Sequence, residues 1–307
     1  MTSPVTRRGS SIRNRRSEQW YAARESRKAN QVRLVGYTKD GIRYIGSVSE
    51  GEVTPLGRVE DFYRSGGTVD LSETTPIPIE NLDPAPFVPV TSRVFCVGIN
   101  YKAHATEAKE VGGIDEPKVP MIFGRWESTL VTNGTPVPVP PNEKGLDWEV
   151  ELAAVIKDEV WSATEENALE HVLGYTAFND LSARQKQTET LQFTLGKNAD
   201  RSGPIGPVLV TADEIADPSN LRVTTRVNGE TVQDANTGQM IHSLAKIIAY
   251  ITDTVTLKAG DVIATGTPGG VGMSFNPPRL LVPGDEVEVE VESIGTVRTP
   301  IVARVDL

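Results

Sequence analysis

GLDWEVELAAVI, residues 145–156, alternates charged and apolar side chains as far as Leu152 and then turns wholly apolar through Ala153-Ala154-Val155-Ile156. Successive side chains of a strand point to opposite faces, so Asp147, Glu149 and Glu151 share one face while Trp148, Val150 and Leu152 share the other. Like charges at that spacing repel unless water, an arginine or a cation offsets them, and here the strand runs straight into an apolar stretch. A bound cation is the economical explanation, and a solvent-exposed acidic strand face is the alternative. A third carboxylate, Asp180, ends another apolar run, GYTAFND (174–180), at a strand-to-loop transition where a side chain is both held and accessible. Oxygen donors with no thiolate and no histidine among them suit a hard cation such as Mg2+, Mn2+ or Ca2+.

Outward from this segment the texture is that of short strands. RVFCVGIN (93–100), PIGPVLV (204–210), LRVTTRVNG (221–229), DVIATGTPG (261–269) and DEVEVEVESIG (285–295) are apolar or alternating runs bounded by Gly and Pro, with helical patterning confined to about 163–172 and 239–253. QVRLVGYTKDGIRYIGSVSEGEVTPL, from Gln31, alternates with turn signals at Asp40-Gly41 and Glu50-Gly51, the pattern of antiparallel hairpins. TTPIPIENLDPAPFVPV (74–90) carries five prolines and suggests an extended linker. The expected organisation is an α+β, mostly β protein with a basic N-terminal arm at 1–31, a small β-rich N-terminal domain and linker at 32–90, and a catalytic domain at 91–307.

The 307 residues include 41 acidic and 31 basic ones, a formal charge of −10. Residues 1–31 hold eight basic and two acidic residues, so the remainder carries −16 and repels phosphate backbones, which excludes nucleic acid as a partner of the body. The arm, rich in Arg and Ser, has the texture of a mitochondrial presequence as well as that of a solvated surface arm, and the latter is the default expectation. No stretch reaches the roughly 18 to 20 consecutive apolar residues of a membrane helix, and no apolar leader core follows the charged N-terminus, so a cytoplasmic protein with no membrane partner is expected. A lone cysteine, Cys96, forms no internal disulfide and no Cys-based zinc site, and its place in an apolar strand suits a packed core residue.

In VGINYKAHATEA (97–108), His104 and Glu107 stand three residues apart and become neighbours on a helical turn. A carboxylate beside an imidazole orients it and raises its basicity, as a general base that activates water requires. Lys197 lies in a Gly-flanked loop, and GTPGGVG (266–272) fits neither a dinucleotide fingerprint nor a P-loop but suits a turn with positive φ.

CVGINYKAHATEA, DWEVELAAVI, GYTAFNDLSAR, the Lys197 loop, VNGETVQ, TGQMIHSLAKIIAYI, ATGTPGGVG and PGDEVEVEVESIGTVRTPIV follow one another in this order over roughly residues 93–302. With them the chain resembles the fumarylacetoacetate hydrolase superfamily, in particular its acylpyruvase and 2-hydroxyhepta-2,4-diene-1,7-dioate isomerase-like members. The resemblance implies a mixed β-roll catalytic domain, a small β-rich N-terminal domain, a homodimer, and one Mg2+ or Mn2+ per active site on Glu149, Glu151 and Asp180. It implies that His104 and Glu107 form a water-activating pair on a mobile lid, that Lys197 and Gln187 lie near the substrate oxygens, and that Thr267 contacts the substrate carboxylate. Many members carry a Lys-Pro pair where this chain has Arg125-Trp126, in IFGRWESTL (122–130). Arginine binds a carboxylate with two parallel hydrogen bonds, so Arg125 is expected to act on substrate entry or on a second acidic end of the substrate.

The activity expected first is metal-dependent cleavage of a carbon–carbon bond in an acylpyruvate-like 1,3-diketo acid, with release of pyruvate. The alternatives are an oxaloacetate decarboxylase, a hydratase or isomerase of 2-oxo-alkenoate diacids in aromatic catabolism, and a non-enzymatic scaffold that uses the basic arm to grip a partner.

Overall fold

The run that turns wholly apolar after Glu151 becomes the middle of a sheet. In the computed structural model, which describes residues 32–68 and 74–306, Val150–Ile156 is buried at every position. Leu152, Ala154 and Ile156 pack into one core and Ala153 and Val155 into another, as a strand covered on both faces requires. Along the chain the strands are β1 Arg33–Lys39, β2 Ile42–Ser49, β3 Glu52–Arg58, β4 Ile77–Pro78, β5 Asp83–Ala85, β6 Arg93–Gly98, β7 Met121–Trp126, β8 Leu130–Val131, β9 Val137–Val139, β10 Val150–Ile156, β11 Val172–Asn179, β12 Gly203–Thr211, β13 Arg222–Val227, β14 Glu230–Asn236, β15 Val262–Ala264, β16 Glu286–Val291 and β17 Gly295–Ala303. The larger sheet has the order β4-β3-β2-β1-β12-β11-β10-β15-β6-β7, with β5 on β1 and β8 on β12, and the smaller has the order β14-β13-β16-β17-β9. Most pairings are antiparallel, and β15 with β6 is parallel. The α+β, mostly β expectation holds.

The turns marked in the sequence close the first two hairpins. Asp40 and Gly41 have φ of 53° and 73°, and Glu50 and Gly51 have 52° and 82°, the doubly positive pair that matches strand twist in a two-residue loop. β1 then continues the large sheet, with Leu34 opposite Leu209 on β12. The sheet therefore runs across the boundary expected near Val90, and Val32–Leu307 forms one compact unit. The expected basic arm, 1–31, lies outside the described residues.

One core lies between the two sheets. Val223, Val289, Val291 and Val297 of the smaller sheet meet Leu152, Tyr175 and Val210 of the larger, and Ile247, Ile248 and Ile251 of helix Leu244–Thr252 complete it. That helix falls within the expected 239–253, and the Ser243 hydroxyl accepts the Lys246 N–H at its start. At 163–172 the structure holds a 3-10 turn, Ala168–His171, in which Ala168 alone is buried. Ala163, Ala168 and Val172 of this stretch are buried in the core, but Val172 already begins β11, so no longer helix can form there. Cys96 is buried and free, as its core reading expects. No described helix is long and apolar enough to cross a membrane.

Truncating the centre of this packing has a defined cost. Leu152, 1% exposed, changed to Ala is expected to lower stability by about 2–5 kcal/mol, whereas Leu191→Ala, at a fully exposed position, shifts it by about 0.5 kcal/mol or less. Urea denaturation of both variants checks the contrast.

Candidate active site

The period-2 alternation survives at the polar end of β10. Glu149 and Glu151 face the same way, and the antiparallel partner β11, with Val150 opposite Asn179, delivers Asp180 beside them. The Asp180 N–H donates to the Glu149 carbonyl over 3.0 Å, which locks the register. Oxygens of Glu149, Glu151 and Asp180 lie within 4.8 Å of one another, and the three residues are 5%, 1% and 0% exposed. A solvent-exposed acidic face is thereby ruled out.

Three cations surround the trio. The Lys197 ammonium donates to Glu149 Oε2 and to Asp180 Oδ2, each over 2.8 Å. Arg184 places Nη2 2.7 Å from Glu149 Oε1 and Nε 2.8 Å from Asp147 Oδ2. Arg125 grips Asp180 Oδ1 with both Nε and Nη2. Burial opposes ionisation of Glu149, but Lys197, Arg184 and His104 outweigh it and hold its carboxyl down at about 2. Lys197 is likewise disfavoured as a charge by burial, yet Asp180 and Glu149 raise its affinity for the proton. Glu151 differs. It receives the Gly266 N–H over 2.8 Å, and burial, then Asp180 and Glu149, push its carboxyl well above the usual range.

Lys197, Arg184 and Arg125 pair with Asp147, Glu149 and Asp180, so among the described residues Glu151, once ionised, has no ion pair to offset it in a buried setting. A divalent cation supplies that offset, and an all-oxygen donor set is what Mg2+ or Mn2+ prefers. The residues present thus fit a hard divalent ion at Glu149, Glu151 and Asp180.

Helix Lys102–Gly112 carries the second group of candidates. His104 Nδ1 lies 3.3 Å from Glu107 Oε2, and Glu107 Oε1 accepts the Gly270 N–H over 2.7 Å. With the imidazole proton on Nδ1 and given to Glu107, Nε2 is left as the basic nitrogen. The Gly270 N–H that binds Glu107 and the Gly266 N–H that binds Glu151 belong to one short segment, which brings this pair up to the trio.

The remaining candidates divide. Lys197 belongs to the carboxylate cluster. Thr267 is buried and accepts from Gln233 Nε2 over 3.0 Å, next in sequence to the glycine that binds Glu151. Gln187, half-buried on helix Arg184–Thr188, accepts from Arg184 Nη1 over 2.9 Å and so stands one residue back from Glu149. Arg125 departs from the substrate-side expectation. Its five N–H groups go to Asp180 twice, to the Leu181 carbonyl, to Ser202 and to Thr129, so none remains for a substrate carboxylate. Its position is 3% exposed, and it holds a candidate metal ligand in place. The sequence reading missed Arg184, which lies in the GYTAFNDLSAR motif but pairs with Asp147 and Glu149 of another segment, so no local spacing announces it.

Known proteins share this arrangement of chain. Residues 93–302 match the family described as fumarylacetoacetate (FAA) hydrolase C-terminal. The mitochondrial oxaloacetate tautomerase FAHD2A of Homo sapiens is 43% identical over 218 residues, 70% of this chain and 68% of the relative. The oxaloacetate tautomerase YisK of Bacillus subtilis is 40% identical over 218 residues, 71% of this chain and 72% of the relative. Among solved structures, a fumarylacetoacetate hydrolase from Exiguobacterium antarcticum superposes with a TM-score of 0.76 at 35% identity, covering 89% of this chain and all of that one. A 2-hydroxyhepta-2,4-diene-1,7-dioate isomerase from Mycobacterium marinum superposes with a TM-score of 0.74 at 31% identity, covering 89% of this chain and 99% of that one.

Because Arg125 and Asp180 are both fully buried at the side chain, removing one partner strands the other. Arg125→Met is expected to cost about 3–5 kcal/mol, and the double variant Arg125→Met/Asp180→Asn to recover part of that loss. Denaturant unfolding of the two single variants and the double variant measures the coupling.

Proposed function

The chain belongs to the fumarylacetoacetate hydrolase family, and from that membership we propose that it is a divalent-metal-dependent enzyme that interconverts the keto and enol forms of oxaloacetate or a closely similar 2-oxo dicarboxylate. The observation that carries this reading is the pairing of a buried carboxylate trio with a His–Glu couple, the two joined through the backbone of one short loop. Tautomerisation needs both, one to hold and polarise a 2-oxo acid and one to move a proton. Hydrolysis of a 1,3-diketo acid, expected first from the sequence, uses the same groups, and what favours tautomerisation is the activity named in the relatives at 40% and 43% identity. The alternatives expected from the sequence, oxaloacetate decarboxylation and hydration or isomerisation of 2-oxo-alkenoate diacids, share the substrate or the reaction type with this reading but do not include tautomerisation of oxaloacetate itself.

A Mg2+ or Mn2+ ion on Glu149, Glu151 and Asp180 would supply Lewis-acid polarisation of the 2-oxo group. His104, oriented by Glu107, takes a proton from C3 of the keto acid through Nε2. The C3–H electron pair becomes the C2–C3 double bond, the C2=O π pair moves onto oxygen, and that oxygen takes up a proton from water while His104 gives its proton back to solvent, which yields the enol and regenerates the base. Lys197 offers its ammonium to the oxygen on which charge develops. Thr267 and Gln187 are assigned to the substrate carboxylates. The homodimer and the cytoplasmic setting expected from the sequence belong to the same reading.

Two measurements test it. Chelator-stripped protein is given enol oxaloacetate, with Mg2+ or Mn2+ added back, and loss of the enol absorbance is followed beside pyruvate release. Metal-restored enol loss without pyruvate is expected, and His104→Ala is expected to lower the rate by about 10²–10⁴. Pyruvate release from acetylpyruvate with no acceleration of oxaloacetate tautomerisation would return the protein to the hydrolase reading. Thermal unfolding gives the second measurement. Mn2+ at about 100 times its Kd is expected to stabilise the protein by about 2.7 kcal/mol, and Glu151→Gln to remove most of that gain.

A further inference from the structure

Asp147 precedes β10, pairs with Ser182 in an isolated bridge and does not join the trio. Fully buried, it gives both oxygens to donors elsewhere. Oδ1 accepts the N–H groups of Trp148 (2.8 Å) and Gly272 (2.6 Å), and Oδ2 accepts the N–H of Met273 (3.0 Å) and Arg184 Nε (2.8 Å). The segment held in this way leaves the end of β15 and runs from Gly266 to Met273. At its start the Gly266 N–H binds Glu151, and midway the Gly270 N–H binds Glu107. One loop therefore touches a candidate metal ligand, the carboxylate that orients the candidate base, and Asp147.

Close approach leaves no room for a side chain at the loop's glycines. Gly266 and Gly270 have φ of +95° and +93°, in the region that favours glycine. A Cβ on Gly270 would lie 2.3 Å from the Val232 carbonyl oxygen, and one on Gly269 would lie 2.9 Å from Ala103 Cβ and 3.0 Å from Glu107 Oε1. Helix Lys102–Gly112 thus sits directly on the loop backbone.

We propose that Asp147 is a positioning residue that fixes the Gly266–Met273 loop and, through it, sets the His104–Glu107 pair at a constant distance from the metal site. The proposal rests on the proposed function in that the reaction needs both groups at once. Asp147 itself touches neither substrate nor metal.

Asp147→Asn is the test, because an amide offers one acceptor oxygen where the carboxylate offers two, so one pair of donors loses its partner. Mn2+ alone is the probe. The chain has three histidines, so with labelled histidine the His104 resonance can be assigned and its paramagnetic relaxation by bound Mn2+ followed in the full chain. In the variant, Mn2+ affinity is expected to stay within about threefold while His104 relaxation falls at least about twofold, and oxaloacetate turnover drops about 10-fold or more with little change in KM. Gly269→Ala, which disturbs the seat of the helix without touching Asp147, is expected to give the same pattern and keeps the test decisive should Asp147→Asn fail to fold. Unchanged His104 relaxation in the folded variants overturns the proposal, as does loss of Mn2+ binding in step with turnover, which would make Asp147 part of the metal site. The relaxation reads the loop whatever the substrate is. A wild-type protein with strong relaxation and no oxaloacetate turnover, together with weakened relaxation in the variants, sinks the tautomerase reading and leaves the loop assignment supported.

Discussion

Three carboxylates brought within 4.8 Å of one another inside a protein interior are the constraint to which the rest of the structure answers. Even after relaxation, each buried ion costs several kcal/mol unless it is paired and hydrogen-bonded. The offsets come from three separate parts of the chain: Arg125 from β7, Arg184 from the helix after β11, and Lys197 from the short helix Thr194–Lys197. β10 and β11 are buried on both faces along their length, so the charge sits where a rigid sheet ends rather than on a loop. That placement gives the site its geometry and leaves Glu151 in need of a positive partner.

Legibility from sequence followed the range of the contacts. The trio was visible because period 2 puts Glu149 and Glu151 on one face, and because Asp180 closes an apolar run. The His104–Glu107 pair was visible because it is local to one helical turn. Asp147 shows the limit of the same rule, since periodicity names a face and not a partner. Alternation placed it with Glu149 and Glu151, yet the cluster leaves it out, and the amides of Gly272 and Met273 approach it from a segment some 125 residues away, which no local pattern announces. Arg125 illustrates the point for charge. Its chemistry, a planar fork that binds carboxylates, was right, but the carboxylate is the protein's own Asp180, 55 residues along the chain.

The same holds for the architecture. Alternation, turn pairs with positive φ and proline-rich punctuation gave the individual strands and the hairpins of residues 33–58. Their attachment to the large sheet depends on Leu34 meeting Leu209, a pairing invisible to any window of sequence, and so a division near Val90 looked natural where the sheet in fact continues. The short helical pattern at 163–172 failed for a different reason: its apolar residues are buried, but the chain turns into β11 at Val172 and leaves room only for a 3-10 turn.

β15 lies between β10 and β6 in the large sheet and joins β6 in parallel. On the ribosome, β6 and β10 are both complete by residue 156, but the strand that separates them ends at residue 264. At about 5–20 residues per second of synthesis, these two strands wait roughly 5–20 seconds with facing edges bare. During that interval each is a template for other chains, and Gly266, whose N–H binds Glu151, has not yet been made. The order of synthesis therefore leaves the facing edges of β6 and β10 to be covered only once β15, Val262–Ala264, has been made.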